Sequence, residues 1–110
     1  MPSPQDVRGI LRDSPARKLH PLLVEANEIV YGPRRDDYGT PLTNHSCTSE
    51  LWSAYLDRKD ASRPLDAEDV CMLNILQKIS RHAHRRKRDN RLDIIGWALN
   101  ASIVSGDGNA

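Results

Sequence analysis

The chain has 110 residues, 38% of them hydrophobic and none of them phenylalanine, and its formal net charge is +1. This length accommodates one small domain rather than two, and so thin a core predicts that the domain is completed by oligomerisation. The net charge argues neither for nor against a nucleic-acid partner. No apolar run approaches the ~18 residues of a membrane-spanning helix, and the first residues lack the apolar segment of a signal peptide. We therefore expect a cytoplasmic protein with no membrane association, in which Cys47 and Cys71 are buried free thiols.

Apolar residues recur at helical spacing through most of the chain, which predicts an all-α fold, a bundle of four to five helices. Residues 1–16 contain three prolines and few apolar side chains, so we interpret them as a flexible arm. Residues 17–105 form a single helical domain, and residues 106–110 form a disordered tail. Helices are predicted over 17–31, over 43–56, from 65 into the basic stretch 81–91, and over 89–105.

A polar loop is predicted between the first two helices, over residues 34–41. Loops of this composition often carry binding groups, so Asp37, Tyr38 and Gly39 are candidates for contact with a ligand. The alternative is an ordinary connection whose arginines and aspartates pair with each other. Asn44 falls on the packed side of the next helix, where its amide must find hydrogen-bond partners. The Asn44 amide therefore either forms a structural hydrogen bond within the protein or contacts a ligand.

Three aspartates occupy positions that are costly for a carboxylate unless it is paired or bound to a cation. Asp69 continues an apolar row on its helix, made of Met72, Leu73 and Leu76. Asp89 and Asp93 share a narrow stripe of the last helix with Gly96 and Asn100, and this stripe has apolar neighbours on both sides. For Asp69 there is also a capping explanation, because Asp66 is a good N-cap and an acid three residues later suits the unpaired N–H groups.

Basic residues are concentrated late in the chain. Asn74, Lys78 and Arg81 form a polar stripe, on which two cations one turn apart suit phosphate oxygens or pair with acids of a neighbouring helix. Residues 81–91 contain six basic residues and two histidines. Such a run is usually a solvated helix end and turn, and it also attracts polyphosphate or nucleic acid.

Several motifs in order resemble a phage-encoded helical family of unassigned function, over roughly residues 19 to 104. The motifs are Asp37-Tyr38-Gly39 with Asn44 and Glu50-Leu51-Trp52, then Asp69-Val70 with Lys78 and Arg81, then Asp89-Asn90 with Asp93-Ile94-Ile95-Gly96-Trp97. That family is in turn similar to the MazG-like all-α nucleoside triphosphate pyrophosphohydrolases and to the nucleotide-modification-associated phage domains.

The resemblance implies a MazG-like bundle that forms dimers or tetramers and uses Mg²⁺ to cleave a nucleoside triphosphate between its α and β phosphates. It assigns metal binding to Glu50, Asp69, Asp89 and Asp93. The catalytic set is Glu50, Asp69, Lys78 and Arg81. The substrate-binding set is Asp37, Tyr38, Gly39, Asn44 and Asn90.

Residues 66–69 match the ExxD motif of the enzymes, with aspartate in place of the first glutamate, whereas only Glu50 remains of their EExxE motif. The first hypothesis is a Mg²⁺-dependent pyrophosphohydrolase or a related phage nucleotide-processing protein acting in the host cytoplasm. The incomplete EExxE motif favours the alternative, a nucleotide-binding protein that sequesters its ligand without hydrolysis. A nucleic-acid-binding or partner-binding helical module that uses the basic run is the third hypothesis.

Overall fold

A computed structural model describes residues 18–107 of the chain. Within this range the secondary structure is helical and includes no β-strand, which confirms the predicted all-α fold. The helices are α1 (Pro21–Tyr31), α2 (Pro33–Tyr38), α3 (Pro41–Arg58), α4 (Ala67–His84) and α5 (Arg88–Val104). Among residues 18–107, none of the helices combines the length and the apolar composition that a membrane span requires.

The chain divides into two compact units, of which the first ends at Asp36 and the second begins at Asp37. The predicted arm over residues 1–16 and the last three residues of the predicted tail lie outside the described residues. The single domain over 17–105 stays a prediction, as do the MazG-like label and completion by oligomerisation.

The first unit contains α1 and the first part of α2. Helix α1 begins at Pro21, because a proline at the first helical position has no N–H to leave unpaired. The His20 Nδ1 atom accepts a hydrogen bond from the Leu22 N–H at 3.2 Å. Helix α1 ends at Tyr31, as the sequence predicted, and Gly32 caps it. A Cβ atom on Gly32 would lie 2.7 Å from the carbonyl oxygen of Glu28.

The loop predicted over residues 34–41 is wrong for most of its length, because residues 33–38 form the short helix α2. Pro33 supplies a backbone φ that already suits a first helical turn, and the Arg35 N–H donates to the Gly32 carbonyl at 3.0 Å. Gly39 then ends the helix with a φ of +80°, a left-handed conformation that favours glycine. Only residues 39 and 40 connect α2 to α3.

In the second unit α4 packs against both α3 and α5. The buried hydrophobic residues of the described chain are Cys71, Leu73 and Ala101, and the buried polar ones are Asn44, Thr48, Asp69, Ser80 and Asn90. The interior is therefore unusually polar, and its polar groups must be matched with partners. One link between helices is the Trp52 indole N–H, which donates to the Leu73 carbonyl at 2.8 Å.

The two cysteines are free thiols, as the sequence predicted. Cys71 on α4 is buried, whereas Cys47 on α3 is only half-buried.

Candidate functional site

The start of α3 and the end of α4 border a half-open cavity of about 200 Å³, called here the α3–α4 cavity. Its lining residues are Tyr38, Thr43, Asn44, Cys47, Ser80, Ala83 and His84. Gly39 allows this close approach, because a Cβ atom on it would lie 3.3 Å from the His84 ring. Helix α3 is fixed at its start by Thr40, whose Oγ1 accepts a hydrogen bond from the Thr43 N–H at 3.2 Å.

Two buried side-chain oxygens of the cavity-lining residues have no hydrogen-bond partner among the described residues: Asn44 Oδ1 and Ser80 Oγ. Asn44 is 9% exposed and Ser80 is 4% exposed. The backbone around Asn44 is well held, since the Thr48 hydroxyl donates to the Asn44 carbonyl at 3.0 Å. An unpaired buried oxygen typically costs about 1–3 kcal/mol. Both oxygens lie behind the largely apolar wall of the cavity, so a ligand would reach them only after a small movement of the side chains that form this wall.

Cationic side chains lie beside the cavity. The Arg81 guanidinium stacks over the Tyr38 ring, 4.3 Å from its centroid, and its buried Nε has no partner in the described part of the chain. The Asp37 carboxylate accepts hydrogen bonds from Arg85 Nη1 and from Lys87 Nζ, both at 3.0 Å. The bond from Lys87 is the largest cause of the lowered pKa of Asp37. Asp37 thus fixes two cations close to the cavity, with one positive charge in excess.

Asn90 has a structural role. It is buried, its Nδ2 donates to the Arg85 carbonyl at 3.3 Å, and the same Nδ2 lies 3.3 Å from His82 Nδ1. His82 Nδ1 also accepts the Lys87 N–H at 3.2 Å. These bonds hold the turn between α4 and α5, so Asn90 supports the cations of this turn without lining the cavity.

Asp69 is occupied by neighbours within the protein. Its carboxylate accepts from the Tyr55 hydroxyl at 2.6 Å, from the Arg63 guanidinium at 2.6 and 3.0 Å, and from the Asp66 N–H at 3.0 Å. Asp66 in turn accepts the Asp69 N–H at 3.0 Å, which completes a capping box at the start of α4. The capping alternative raised by the sequence is therefore confirmed.

The same contacts explain the ionisation of this group. The hydrogen bonds from Arg63, and next from Tyr55, lower the pKa of Asp69 far below its ordinary value. The bond to Asp69 raises the pKa of Tyr55 and, in the same way, that of Arg63. Asp69 is thus a fixed anion whose lone pairs are already used.

The other predicted metal ligands do not join Asp69 in a cluster of three or more within the described residues. Asp93 is paired with Lys78 at 3.0 Å, while Glu50 and Asp89 are exposed on α3 and α5. Over residues 18–107 no group of three or more His, Cys, Asp or Glu side chains is placed to hold a metal ion. Magnesium binding stays a prediction, since Mg²⁺ is often held by only one or two carboxylates together with waters and phosphate oxygens.

The structure brings together part of the predicted site. Tyr38, Gly39 and Asn44 meet at the α3–α4 cavity, with Arg81 and Asp37 beside it. The four predicted metal ligands do not converge, and Lys78 lies with Asp93. Ser80, His84 and Arg63 were not among the predicted residues. Ser80 had a readable signal, because it follows Leu73 and Leu76 on the packed row of α4 and is polar, as Asn44 is on α3.

Fold and cavity define a small all-helical protein with a candidate small-molecule site in its second unit. Residues 21–104 match the family model described as a domain of unknown function (DUF6378), and the chain belongs to this family.

The chain is 36% identical over 78 residues to the Gene 55 protein of Mycobacterium phage L5, covering 70% of this chain and 47% of that protein. It is 33% identical over 78 residues to the Gene 55 protein of Mycobacterium phage D29, covering 70% and 48%. The chain thus spans about half the length of the curated relatives it matches. No solved structure matches the chain significantly. These likenesses confirm the expected phage family of unassigned function, while the resemblance to MazG-like enzymes stays a prediction.

Proposed function

We propose that this chain binds a nucleoside phosphate in the α3–α4 cavity and holds it without hydrolysing it. The observation that carries the proposal is the pair of buried, unpaired oxygens on Asn44 and Ser80, two residues that line the same cavity. Buried polar groups are nearly always paired in native proteins. In this proposal a ligand enters the cavity, displaces its apolar wall slightly and supplies the missing partners.

A nucleobase suits the size and chemistry of the cavity. Its volume of about 200 Å³ lies below the ~300–1,000 Å³ of drug-sized sites, so it takes one flat ring system rather than a larger molecule. A base edge presents N–H donors beside ring nitrogens or carbonyl oxygens. Asn44 Oδ1 would accept from such an N–H, and the Ser80 hydroxyl would donate to or accept from the neighbouring atom. The Tyr38 ring, held by Arg81, forms an aromatic wall.

The phosphates would lie towards the cations of the α4–α5 turn. Arg85 and Lys87 share a single aspartate, Asp37, and therefore retain a net positive charge. A guanidinium and an ammonium held in place bind phosphate oxygens with little further loss of side-chain freedom. The arrangement favours a charged nucleotide over an uncharged base.

The pairing of the aspartates within the protein supports binding of the nucleotide without hydrolysis. Phosphoryl transfer in metal-dependent enzymes relies on carboxylates that hold the metal ion, whereas here Asp69 is bound by Arg63 and Tyr55, and Asp93 by Lys78. The incomplete EExxE motif agrees with this geometry. We propose that this binding takes place in the cytoplasm of an infected host, a reducing compartment in which the two free cysteines would stay reduced.

The test is isothermal titration of the full chain with the mono- and triphosphates of the common bases. We expect a dissociation constant of about 1–100 µM for at least one base. The variants Ser80→Ala and Asn44→Ala should each weaken binding roughly 5–10-fold, the value of one lost hydrogen bond. Ser49→Ala is the matched control, because this exposed hydroxyl on α3 bonds only to the Ser46 carbonyl. Binding that is absent throughout, or unchanged in both cavity variants, would overturn the proposal.

Hydrolysis is measured in the same samples. Incubation with triphosphates and Mg²⁺, followed by assay for released pyrophosphate, should give no turnover above the blank. Turnover that is lost in Asp93→Asn, with folding intact, would instead support the pyrophosphohydrolase hypothesis and contradict the sequestering one.

A further inference from the structure

Positive charge is concentrated where α4 ends and α5 begins. Residues 81–91 contain six basic side chains and one carboxylate, Asp89, while the whole chain carries a net charge of only +1. The rest of the chain is therefore acidic. We call five of these cations the basic tip: Arg85, Arg86, Lys87, Arg88 and Arg91. An uneven charge distribution of this kind attracts a partner of opposite sign.

Most of the basic tip is free to meet such a partner. Arg86, Arg88 and Arg91 are exposed, and none of them forms an ion pair among residues 18–107. Arg85 and Lys87 share the single carboxylate of Asp37. With Asp37 and Asp89 set against the six basic side chains of residues 81–91, four positive charges remain in excess.

Helix stability does not explain the cations on α5. Cations at the end of α4 suit the negative end of its helix dipole, but Arg88 and Arg91 lie at the start of α5, where the dipole is positive and opposes them. An acid would serve the helix better at these two positions. The protein therefore keeps arginines where they weaken the helix slightly, which favours a role in binding over a role in folding.

The backbone that carries the basic tip is held in place. His82 Nδ1 accepts the Lys87 N–H at 3.2 Å, and Asn90 Nδ2 donates to the Arg85 carbonyl at 3.3 Å. Binding therefore orders only the cationic side chains, which keeps its entropic cost low. No side chain caps the start of α5, so the N–H groups of its first turn add to the attraction for an anion.

The composition of the basic tip identifies the chemistry of the partner. Four of its five cations are arginines, whose planar guanidinium binds phosphate through two parallel hydrogen bonds. Arg88 and Arg91 are one helical turn apart and share a side of α5, so they suit a partner with repeated phosphates. Residues 81–91 contain no Phe, Tyr or Trp on which unpaired bases would stack. This favours a duplex over a single strand.

We propose that the basic tip binds the phosphate backbone of double-stranded nucleic acid, without preference for its sequence. Contacts to phosphates fix a protein on the duplex but carry no sequence information. The proposal does not depend on the α3–α4 cavity, because none of the five residues of the basic tip lines that cavity.

The test is fluorescence anisotropy of a labelled 20-base-pair duplex titrated with the full chain at several salt concentrations. We expect a dissociation constant of about 1–100 µM at physiological salt, and binding that weakens steeply as salt rises. The double variant Arg88→Gln/Arg91→Gln should weaken binding at least about 10-fold at low salt. It should also lower the slope of log Kd against log salt by roughly 1.8, since each phosphate contact contributes about 0.9.

The matched control is Arg58→Gln/Lys59→Gln, which removes the same two positive charges at the end of α3. This position is at the other end of α4, since Tyr55 near the end of α3 bonds to Asp69 near the start of α4. The control should keep the parental salt slope. Circular dichroism should show unchanged helicity in the Arg88/Arg91 variant, because both side chains are exposed.

Four results would overturn the proposal. The parent fails to bind the duplex, or its binding does not change with salt. Both double variants weaken binding equally, which would show an effect of overall charge rather than of the basic tip. The parent binds a single strand of the same length more tightly than the duplex. Finally, the parent binds vesicles with anionic lipids but not the duplex, which would identify a membrane surface as the partner.

Discussion

The variant Ser80→Ala distinguishes two roles of the buried Ser80 hydroxyl, a structural role in the core and a role in ligand binding. If its Oγ were part of the structural core, Ser80→Ala would cost stability. The oxygen has no hydrogen-bond partner among the described residues, and the residue is 4% exposed. Burying this unpaired oxygen therefore costs the folded protein about 1–3 kcal/mol of desolvation free energy that no hydrogen bond offsets. Ser80→Ala removes that cost. Alanine is also a few tenths of a kcal/mol better than serine inside a helix.

Some packing around the lost oxygen opposes this gain, so we expect Ser80→Ala to raise the free energy of unfolding by about 1 kcal/mol. For a domain of this size that corresponds to a melting temperature higher by roughly 4–8 °C. Thermal and urea unfolding followed by circular dichroism measure the change. Thr48→Val is the control, because the buried Thr48 hydroxyl does have a partner, the Asn44 carbonyl at 3.0 Å, and its loss should cost about 1 kcal/mol.

The refuting result is a destabilised Ser80→Ala that loses as much as Thr48→Val. The Ser80 hydroxyl would then be satisfied in the free protein, and the argument that the cavity awaits a ligand would lose its basis. A variant that is more stable and at the same time binds nucleotide more weakly would show that stability has been given up for binding at this position.

Three further predictions concern the frame around the cavity. Folding lowers the pKa of Asp69 and of Asp37 below 3.8, so on acidification the unfolded chain takes up protons before the folded protein does. Urea unfolding should therefore show full stability above about pH 5 and a progressive loss of stability below about pH 4. This loss should be less steep in Asp69→Asn. Gly39→Ala should lower the free energy of unfolding by about 1–2 kcal/mol, because alanine is strained at a φ of +80° and its Cβ would lie 3.3 Å from the His84 ring; an unchanged melting temperature would count against this. Asn90→Ala should cost about 1–3 kcal/mol, and calorimetry should find weaker nucleotide binding, because Asn90 holds the turn that carries Arg85 and Lys87; an unchanged dissociation constant would count against this support.

The helices were readable from the sequence because their signals are local. Apolar spacing located α1, α3, α4 and α5, and Gly32 and Asp66 marked a helix end and a helix start where the structure has them. Helix α2 was missed because its residues are polar and charged. Its only signal was the proline at its first position, and charge alternation suggested a loop instead.

The candidate site was readable only in part. Tyr38, Gly39 and Asn44 were identified by residue type and position, and they meet at one cavity. The pairing of Asp69 with Arg63 could not be predicted from the sequence. Arg63 is close to Asp69 along the chain, but it lies in a charged loop, and no periodic pattern indicates how that loop folds over α4. Whether side chains of different helices converge depends on how those helices cross. That information lies in the summed packing of many residues rather than in any one motif.

The account depends on a ligand reaching Asn44 and Ser80 together. The most direct measurement is ¹⁵N–¹H NMR of the labelled full chain during titration with the nucleotide that calorimetry selects. The account predicts the largest shifts at the Asn44 side-chain amide and at the backbone amides of Tyr38, Ser80 and His84, with Glu50 and Asp89 unaffected. Shifts concentrated on Glu50, Asp89 and Asp93, with the Asn44 amide unmoved, would contradict it.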